Sequence, residues 1–167
     1  MERTCGKCSL CCKLNKVAAI DKPTGKWCVH CKIGSGCTIY ADRPQDCRDY
    51  DCLYLLNPNL PDFWYPLRCH MVLQSGSAPD VLIVLVDPER PDAWRREPYT
   101  GTIRGYANTL CPRGGKVLVK IGPRMHVVLP DKIVDMGICA EDDGFTVGVS
   151  YTSGAPRWTA AKVRKPD

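Results

Sequence analysis

Cys5-Gly6-Lys7-Cys8-Ser9-Leu10-Cys11-Cys12 places four thiols within eight consecutive residues. In a C-x2-C turn the two thiolates converge on one side of a tight backbone knuckle, so a single tetrahedral ion can accept both. Gly6 lets the chain turn there, and the exposed amides can hydrogen-bond the sulfurs. Cys8 to Cys11 repeats the spacing, and Cys12 follows directly. Adjacent cysteines usually diverge, so Cys11 and Cys12 do not both suit one mononuclear ion. The pair implies two metal centres, a multinuclear cluster, or one ligand beside one packed thiol.

Downstream lie Cys28-Val29-His30-Cys31, Cys37, Cys47 and Cys52, in a segment rich in Gly, Pro and Asp and poor in aliphatics. Such a segment cannot build its own core and must be held by cross-links. Met1 to Cys5 contains no apolar stretch of the kind that opens a secretory signal. The expected compartment is therefore the cytoplasm, where thiols stay reduced and metal is the available cross-link. Cys28-Val29-His30-Cys31 could close a zinc site with one other pair. His30, between two cysteines, is the histidine best placed to ligate, although an unligated histidine is the commoner outcome.

Around Cys47 and Cys52 the sequence predicts a short helix, with Asp42 as N-cap and Pro44 at an early helical position. Arg43 and Arg48 would lie close to thiolates and favour their ionised form, or serve as solvated helix-face charges. Asp46, Asp49 and Asp51 suit acceptors behind a metal ligand or general bases near a metal-bound water, with a solvated surface as the commoner role.

Ten of the 12 cysteines fall at or before Cys69, which makes the chain chemically two-part. Residues 1–60 read as a metal-nucleated module, with its boundary in Asn57-Pro58-Asn59-Leu60-Pro61-Asp62, a stretch of loop formers. Residues 61–167 read as an α+β region with three β-hairpins. Met71 to Leu73 and Val81 to Val86 flank a turn at 75–80. Val117 to Ile121 and Met125 to Leu129 flank Gly122-Pro123-Arg124. Phe145 to Tyr151 pairs with Arg157 to Val163 across 152–156. Ile103, Tyr106, Ala107 and Leu110 fit one helical face, with Pro98 near its start, and Gly101 and Gly105 argue against it. The basic tail, Lys162 to Asp167, is expected to fray. The fold class is α+β: a loop-rich cysteine module packed as one compact unit with a small, mainly antiparallel sheet and one or two short helices.

The formal charge of +5 is spread almost evenly along the chain, without a basic patch of nucleic-acid type. Four thiolates on one divalent zinc leave two negative charges, which nearby Lys and Arg can offset. No apolar run reaches the roughly 20 residues that a membrane helix requires, so no membrane partner is expected.

In order, Cys5-x2-Cys8-x2-Cys11-Cys12, then Cys37-Thr38-Ile39-Tyr40, then Arg43-Pro44-x2-Cys47-Arg48-x-Tyr50-x-Cys52, resembles the zinc- or iron-chelating CxxCxxCC domain of the YkgJ type. Trp94-Arg95-Arg96-Glu97-Pro98-Tyr99 is similar to a stretch of its short bacterial members. The resemblance implies metal chelation by Cys5, Cys8, Cys11, Cys12, Cys37, Cys47 and Cys52, with Cys28 or Cys31 as an eighth thiol. Eight thiols would fill two tetrahedral sites, or one four-iron cluster with thiols to spare. Longer proteins with a similar motif include flagellin lysine methylases, which leaves iron-sulfur redox or group-transfer chemistry open.

Cys69, Cys111 and Cys139 sit in ordinary globular sequence and read as structural thiols, and His70 and His126 as unligated. Trp27, Trp64, Trp94 and Trp158 read as packing residues. No nucleophile elbow, phosphate loop or His-Glu-x-x-His helix supports an enzyme. The expected function is a metal-binding protein with zinc or iron as the bound ion. An iron-sulfur protein, and a zinc module that binds protein or nucleic acid, are the alternatives.

Overall fold

Leu10, Leu14 and Val17 share one face at helical spacing, and all are buried. They fix the start of the chain, around α1 (Cys11–Leu14) and a 3-10 turn at Ala18–Ile20. In this computed structural model the described residues are 3–78, 80–151 and 154–163. They belong to two compact units, Met1–Gln74 with Leu85–Ala93, and Ser75–Val84 with Trp94–Asp167.

The first unit is made of very short elements. After α1 come the paired strands β1 (Cys31–Lys32) and β2 (Gly36–Cys37), then the single-turn helices α2 (Gln45–Arg48), α3 (Leu53–Leu56) and α4 (Pro66–Cys69), then β3 (Met71–Ser75). Each helix is only 4 residues long, far below the ~12–15 at which a helix begins to stand alone in water. Their stability must come from what they pack against. The apolar core of the unit comprises Leu10, Leu14, Val17, Leu60, Trp64 and Met71 to Leu73, with Leu85 and Val86. Between Ala18 and Asn59 not one apolar residue is buried; the one fully buried side chain there is Lys22.

The turn at Asn57 to Asp62 lies inside this unit. Arg3 holds it, donating to the carbonyls of Tyr54 (3.1 Å), Asn57 (2.9 Å) and Leu60 and to the Asp62 carboxylate (3.1 Å). Its guanidinium stacks on the Tyr54 ring at 4.0 Å.

The helix expected around Cys47 is broken up. Residues Tyr40–Asp42 form a 3-10 turn, Arg43 is extended, and Pro44 is the N-cap of α2 in place of Asp42. A proline forces the residue before it out of the helical region, so Asp42 cannot cap a helix that Pro44 continues. The chain unwinds again before Cys52, which is the N-cap of α3.

The second unit follows its apolar alternation. Strands β5 (Lys116–Ile121), β6 (Arg124–Val128) and β7 (Ile133–Ile138) form an antiparallel meander, and β8 (Gly144–Ser150) pairs with β9 (Arg157–Val163) as a separate ribbon. With β4 (Val81–Val86), the five-stranded sheet has the order β3-β4-β5-β6-β7. All three expected hairpins are present; Pro79 in the first turn, and Thr152 and Ser153 in the third, lie outside the described residues.

Two features were not expected. The strand β7 joins β6 across an irregularity at Met125/His126. The helix α5 (Tyr99–Leu110) is a crossover from β4 to β5. Lys116 N–H donates to the Asp80 carbonyl (2.9 Å) where both strands begin, so β4 and β5 run parallel. A Cβ on Gly115 would stand 2.4 Å from that carbonyl oxygen, so only glycine fits. In α5, Ile103 and Ala107 are buried and Tyr106 and Leu110 half-buried, the face the spacing predicts. Gly101 does not break the helix, because its N–H donates to the Glu97 carboxylate (3.2 Å).

Lys162 and Val163 belong to β9 and are not frayed; Lys162 donates to the Ile138 carbonyl (3.0 Å) and pairs with Asp143 (3.1 Å). The rest of the expected tail, 164–167, lies outside the described residues. Among the described residues no helix is long and apolar enough to cross a membrane.

His126, 4% exposed, packs on Trp94 at 5.3 Å between ring centroids. Burial pushes its pKa below the ordinary 6.5; Arg95 and Arg124 act in the same direction, and Asp135 opposes them. The unfolded chain therefore binds this proton more tightly. The contribution of neutral His126 is complete above about pH 6.5 and is lost as pH falls through the lower folded value. Urea midpoints measured between pH 7.5 and 5 are expected to fall for the wild type and to fall less for His126→Gln. An NMR titration placing His126 at or above 6.5 would refute this.

Candidate metal centre

The first knuckle forms as its sequence requires. Gly6 takes a positive φ of 51° and Cys8 N–H donates to the Cys5 carbonyl (2.8 Å). Cys11 opens α1, where the buried Leu10 and Leu14 anchor the second spacing. The chain returns at Cys28, whose N–H donates to the Cys12 carbonyl (3.1 Å), and turns again as Cys31 N–H donates to Cys28 (3.0 Å). Cys31 and Cys37 are direct cross-strand partners in β1 and β2. Cys47 lies within α2.

All nine cysteines from Cys5 to Cys52 are half-buried free thiols, and their side chains fall into two neighbourhoods. Cys5, Cys8, Cys11 and Cys52 line a small cleft of about 30 Å³ whose other walls include Tyr50, Tyr54 and Tyr65. Cys12 hydrogen-bonds with Cys31, and Cys47 stands within electrostatic reach of Cys12, Cys28 and Cys37. The adjacent Cys11 and Cys12 hydrogen-bond to each other, and Cys11 also stands within electrostatic reach of Lys22, so the two neighbourhoods meet there.

Five of these thiols, Cys5, Cys8, Cys12, Cys31 and Cys47, are pushed toward their protonated form. Cys12 is pushed far above the ordinary thiol range, first by its hydrogen bond with Cys11 and then by burial. Cys31 is pushed up to about 11, by burial and then by Cys12. Burial also raises Cys5, Cys8 and Cys47, and neighbouring sulfurs add to each. Crowded thiolates repel one another, so simultaneous ionisation requires a compensating cation.

Part of that compensation is built in. Lys22 is 4% exposed, and its ammonium donates to the carbonyls of Lys13 (2.9 Å) and Asn15. Burial lowers its pKa, and the sulfurs of Cys28, Cys12, Cys11 and Cys47 push back. The Ser9 hydroxyl, buried without a well-formed hydrogen bond, lies beside Cys31 and favours its thiolate. Arg43 acts on Cys5 in the same sense as expected, but burial outweighs it. Arg48 instead donates to the carbonyls of Arg43 (2.8 Å) and Ala41 (2.9 Å), bracing the entry to α2.

The other residues singled out from sequence take structural places. The His30 carbonyl accepts from Thr38 N–H (2.8 Å), which closes the β1–β2 hairpin. Asp46 accepts from Ala18 N–H (3.1 Å), and Asp49 from Gln45 (2.6 Å). His70 takes a left-handed conformation at the end of α4. Cys69 and Cys111 are buried core thiols; burial pushes Cys69 up to about 12. Half-buried Cys139 lies against the carbonyls of Met136 and Gly137. Trp64, Trp94 and Trp158 are buried, and Trp27 is half-buried with the Lys13 ammonium 5.5 Å from its ring centroid.

Sequence reasoning missed Lys13, Lys22, Ser9 and the tyrosine wall. Lys13 was accessible to it, because residues 10, 13, 14 and 17 share one helical face and the other three are apolar. A lysine on that face must be buried and paired.

The donor chemistry fits a thiophilic metal: soft sulfur donors, a buried cation and a buried hydroxyl beside them. Among the described residues, no three side chains of His, Cys, Asp or Glu stand in coordination geometry. Metal binding therefore requires sulfur side chains to rotate inward as their protons leave. No protein-family model matches this chain, and no curated protein or solved structure matches it either.

Proposed function

We propose that this chain is a metal-binding protein of the YkgJ cysteine-cluster type, whose N-terminal thiolates bind zinc or iron and thereby hold the segment from Ala18 to Asn59. One observation carries the reading. That segment buries no apolar side chain, and its single fully buried residue is a lysine facing the sulfurs of Cys11, Cys12, Cys28 and Cys47. An ammonium is buried at such a place when anionic charge is there to meet it.

Cys5, Cys8, Cys11, Cys12, Cys28, Cys31, Cys47 and Cys52 are the residues that would hold metal, with Cys37 beside Cys47. Bound zinc or iron supplies the positive charge that keeps these sulfurs ionised together and the cross-links that replace a core. Lys22 offsets excess thiolate charge, and Ser9 donates toward the Cys31 sulfur. The cytoplasm is the compartment in which free thiols in this number persist.

The second reading is an iron-sulfur protein with redox or group-transfer activity, favoured by the tyrosine-walled cleft next to four thiols. Anaerobic purification with elemental analysis and optical spectroscopy separates the two. A colourless chain with stoichiometric zinc or mononuclear iron supports chelation, and a brown chain with inorganic sulfide supports the cluster. A chain carrying neither metal after anaerobic loading with both overturns the proposal.

A further inference from the structure

The β1–β2 hairpin sets two of the nine half-buried cysteines directly opposite each other. Thr38 N–H donates to the His30 carbonyl (2.8 Å), so these two residues face each other as a hydrogen-bonded pair. Cys31 and Cys37 come next in the same register, and therefore occupy the neighbouring pair that lacks such bonds. In that position the α-carbons approach to about 4.5 Å, the closer of the two spacings in an antiparallel ladder. Opposed side chains also stand on one face of the ribbon. A disulfide needs α-carbons roughly 4.4–6.8 Å apart, so the backbone of this hairpin already meets the requirement. Ser35 N–H closes the turn on the Lys32 carbonyl (2.9 Å), which holds the register.

Both cysteines are free thiols, and the turn that joins them, residues 32–35, is exposed. A small oxidant can reach them there. Their places in the site differ. Cys31 hydrogen-bonds with Cys12 and is one of the eight sulfurs assigned to metal, whereas Cys37 is the ninth, beside Cys47. A thiol with a second thiol poised to condense with it is the usual arrangement of a redox sensor.

We infer that Cys31 and Cys37 are a redox-active pair, which a peroxide converts into a cross-strand disulfide that withdraws Cys31 from the metal. The withdrawal rests on the metal-binding reading; the disulfide rests on the hairpin alone. Peroxide oxidises one thiol to a sulfenic acid, and its other oxygen leaves as water. The second sulfur attacks the first and expels hydroxide. That hydroxide becomes water with the proton of the attacking thiol, or with one from solvent where metal had displaced it. Two electrons pass from the sulfur pair to one peroxide, and a reducing dithiol reverses the bond by exchange. In a reducing compartment such a bond is transient, which suits a signal rather than a brace.

The test uses the full chain, purified anaerobically, loaded with zinc, treated with hydrogen peroxide in increments and quenched with iodoacetamide. Tryptic peptides, cut at Lys32 between the two cysteines, are mapped by tandem mass spectrometry, and released zinc is read with 4-(2-pyridylazo)resorcinol. The first disulfide is expected to join Cys31 to Cys37, to appear together with released zinc, and to be lost with dithiothreitol. Cys37→Ser loses that cross-link and the zinc release that accompanies it; should this variant fail to fold, the wild-type map still decides. A first disulfide joining any other pair, Cys12 with Cys31 above all, or no disulfide at all, overturns the assignment and leaves metal binding in place. A Cys31–Cys37 bond formed with zinc fully retained overturns the withdrawal. A chain that takes up no zinc or iron yet closes Cys31 to Cys37 first keeps the pair and overturns the metal-binding reading.

Discussion

Complete removal of metal from the anaerobically purified chain is expected to unfold the segment from Ala18 to Asn59 and to leave the β5–β6 hairpin in place. Structural zinc in small modules contributes roughly 10–16 kcal/mol of apparent binding energy, which is also folding energy. A whole domain is stable by only about 5–15 kcal/mol. A segment without one buried apolar side chain has nothing to set against that loss. The strands β5 and β6 differ, because Val117, Val119, Val127 and Val128 are each 0% exposed and paired in register. Hydrogen exchange reads the outcome residue by residue. Amides between Cys28 and Cys37 should exchange at unstructured rates after chelation, and those of Val117 and Val127 should stay protected. Unchanged protection at Cys31 and Cys37 in demonstrably metal-free protein would remove the physical basis of the functional reading.

Asp87→Ala is expected to cost the first unit about 3 kcal/mol, the lower end of the ~3–5 measured when a buried ion pair loses one partner. The Lys13 ammonium lies 2.7 Å from Asp87, with side-chain exposures of 3% and 8%. Removing the carboxylate leaves that ammonium buried with Glu89 alone, at 3.0 Å and 75% exposed, which places the cost at the low end. Burial by itself would lower the Lys13 pKa, but the bonds to Asp87 and Glu89 outweigh it and hold it above 10.5. The pair's contribution is thus complete below the unfolded value of 10.5 and is lost as pH rises through the higher folded one. The double variant Lys13→Met/Asp87→Leu, which replaces both charges, should recover most of the loss. Urea unfolding of the metal-loaded chain at pH 7 measures both, and a loss below about 1 kcal/mol for Asp87→Ala would place the pair among weak surface contacts.

Local signals carried the second unit. The alternation of Val117, Val119 and Ile121, and of Phe145, Val147 and Val149, marks strands because a period of two has one meaning in a half-buried sheet. Strand β7 escaped because its residues Ile133 to Ile138 show no such alternation, and its burial is intermediate along most of its length. The parallel pairing of β4 with β5 escaped because it joins residues separated by a whole helix, and nothing local encodes it. In the candidate site the donors were legible and their grouping was not. Spacing shows that Cys11 and Cys12 diverge, but which sulfur faces Cys31 and which faces Cys52 depends on where the later turns bring the chain back. Lys22 lies two residues beyond a short 3-10 turn, in sequence that gives no sign of burial.

The Arg3 contacts bear on the order of assembly. Its bond to the Leu60 carbonyl bridges 57 residues, so the side chain acts as a non-covalent clasp on a very large ring. Ring-closure entropy grows only with the logarithm of length, so one planar, five-donor group can fasten a ring of that size where a single-point ammonium would not. The clasp ties the segment that carries Cys5 and Cys8 to the turn that follows Cys52. Part of the ordering cost of that loop is thereby met by a single side chain.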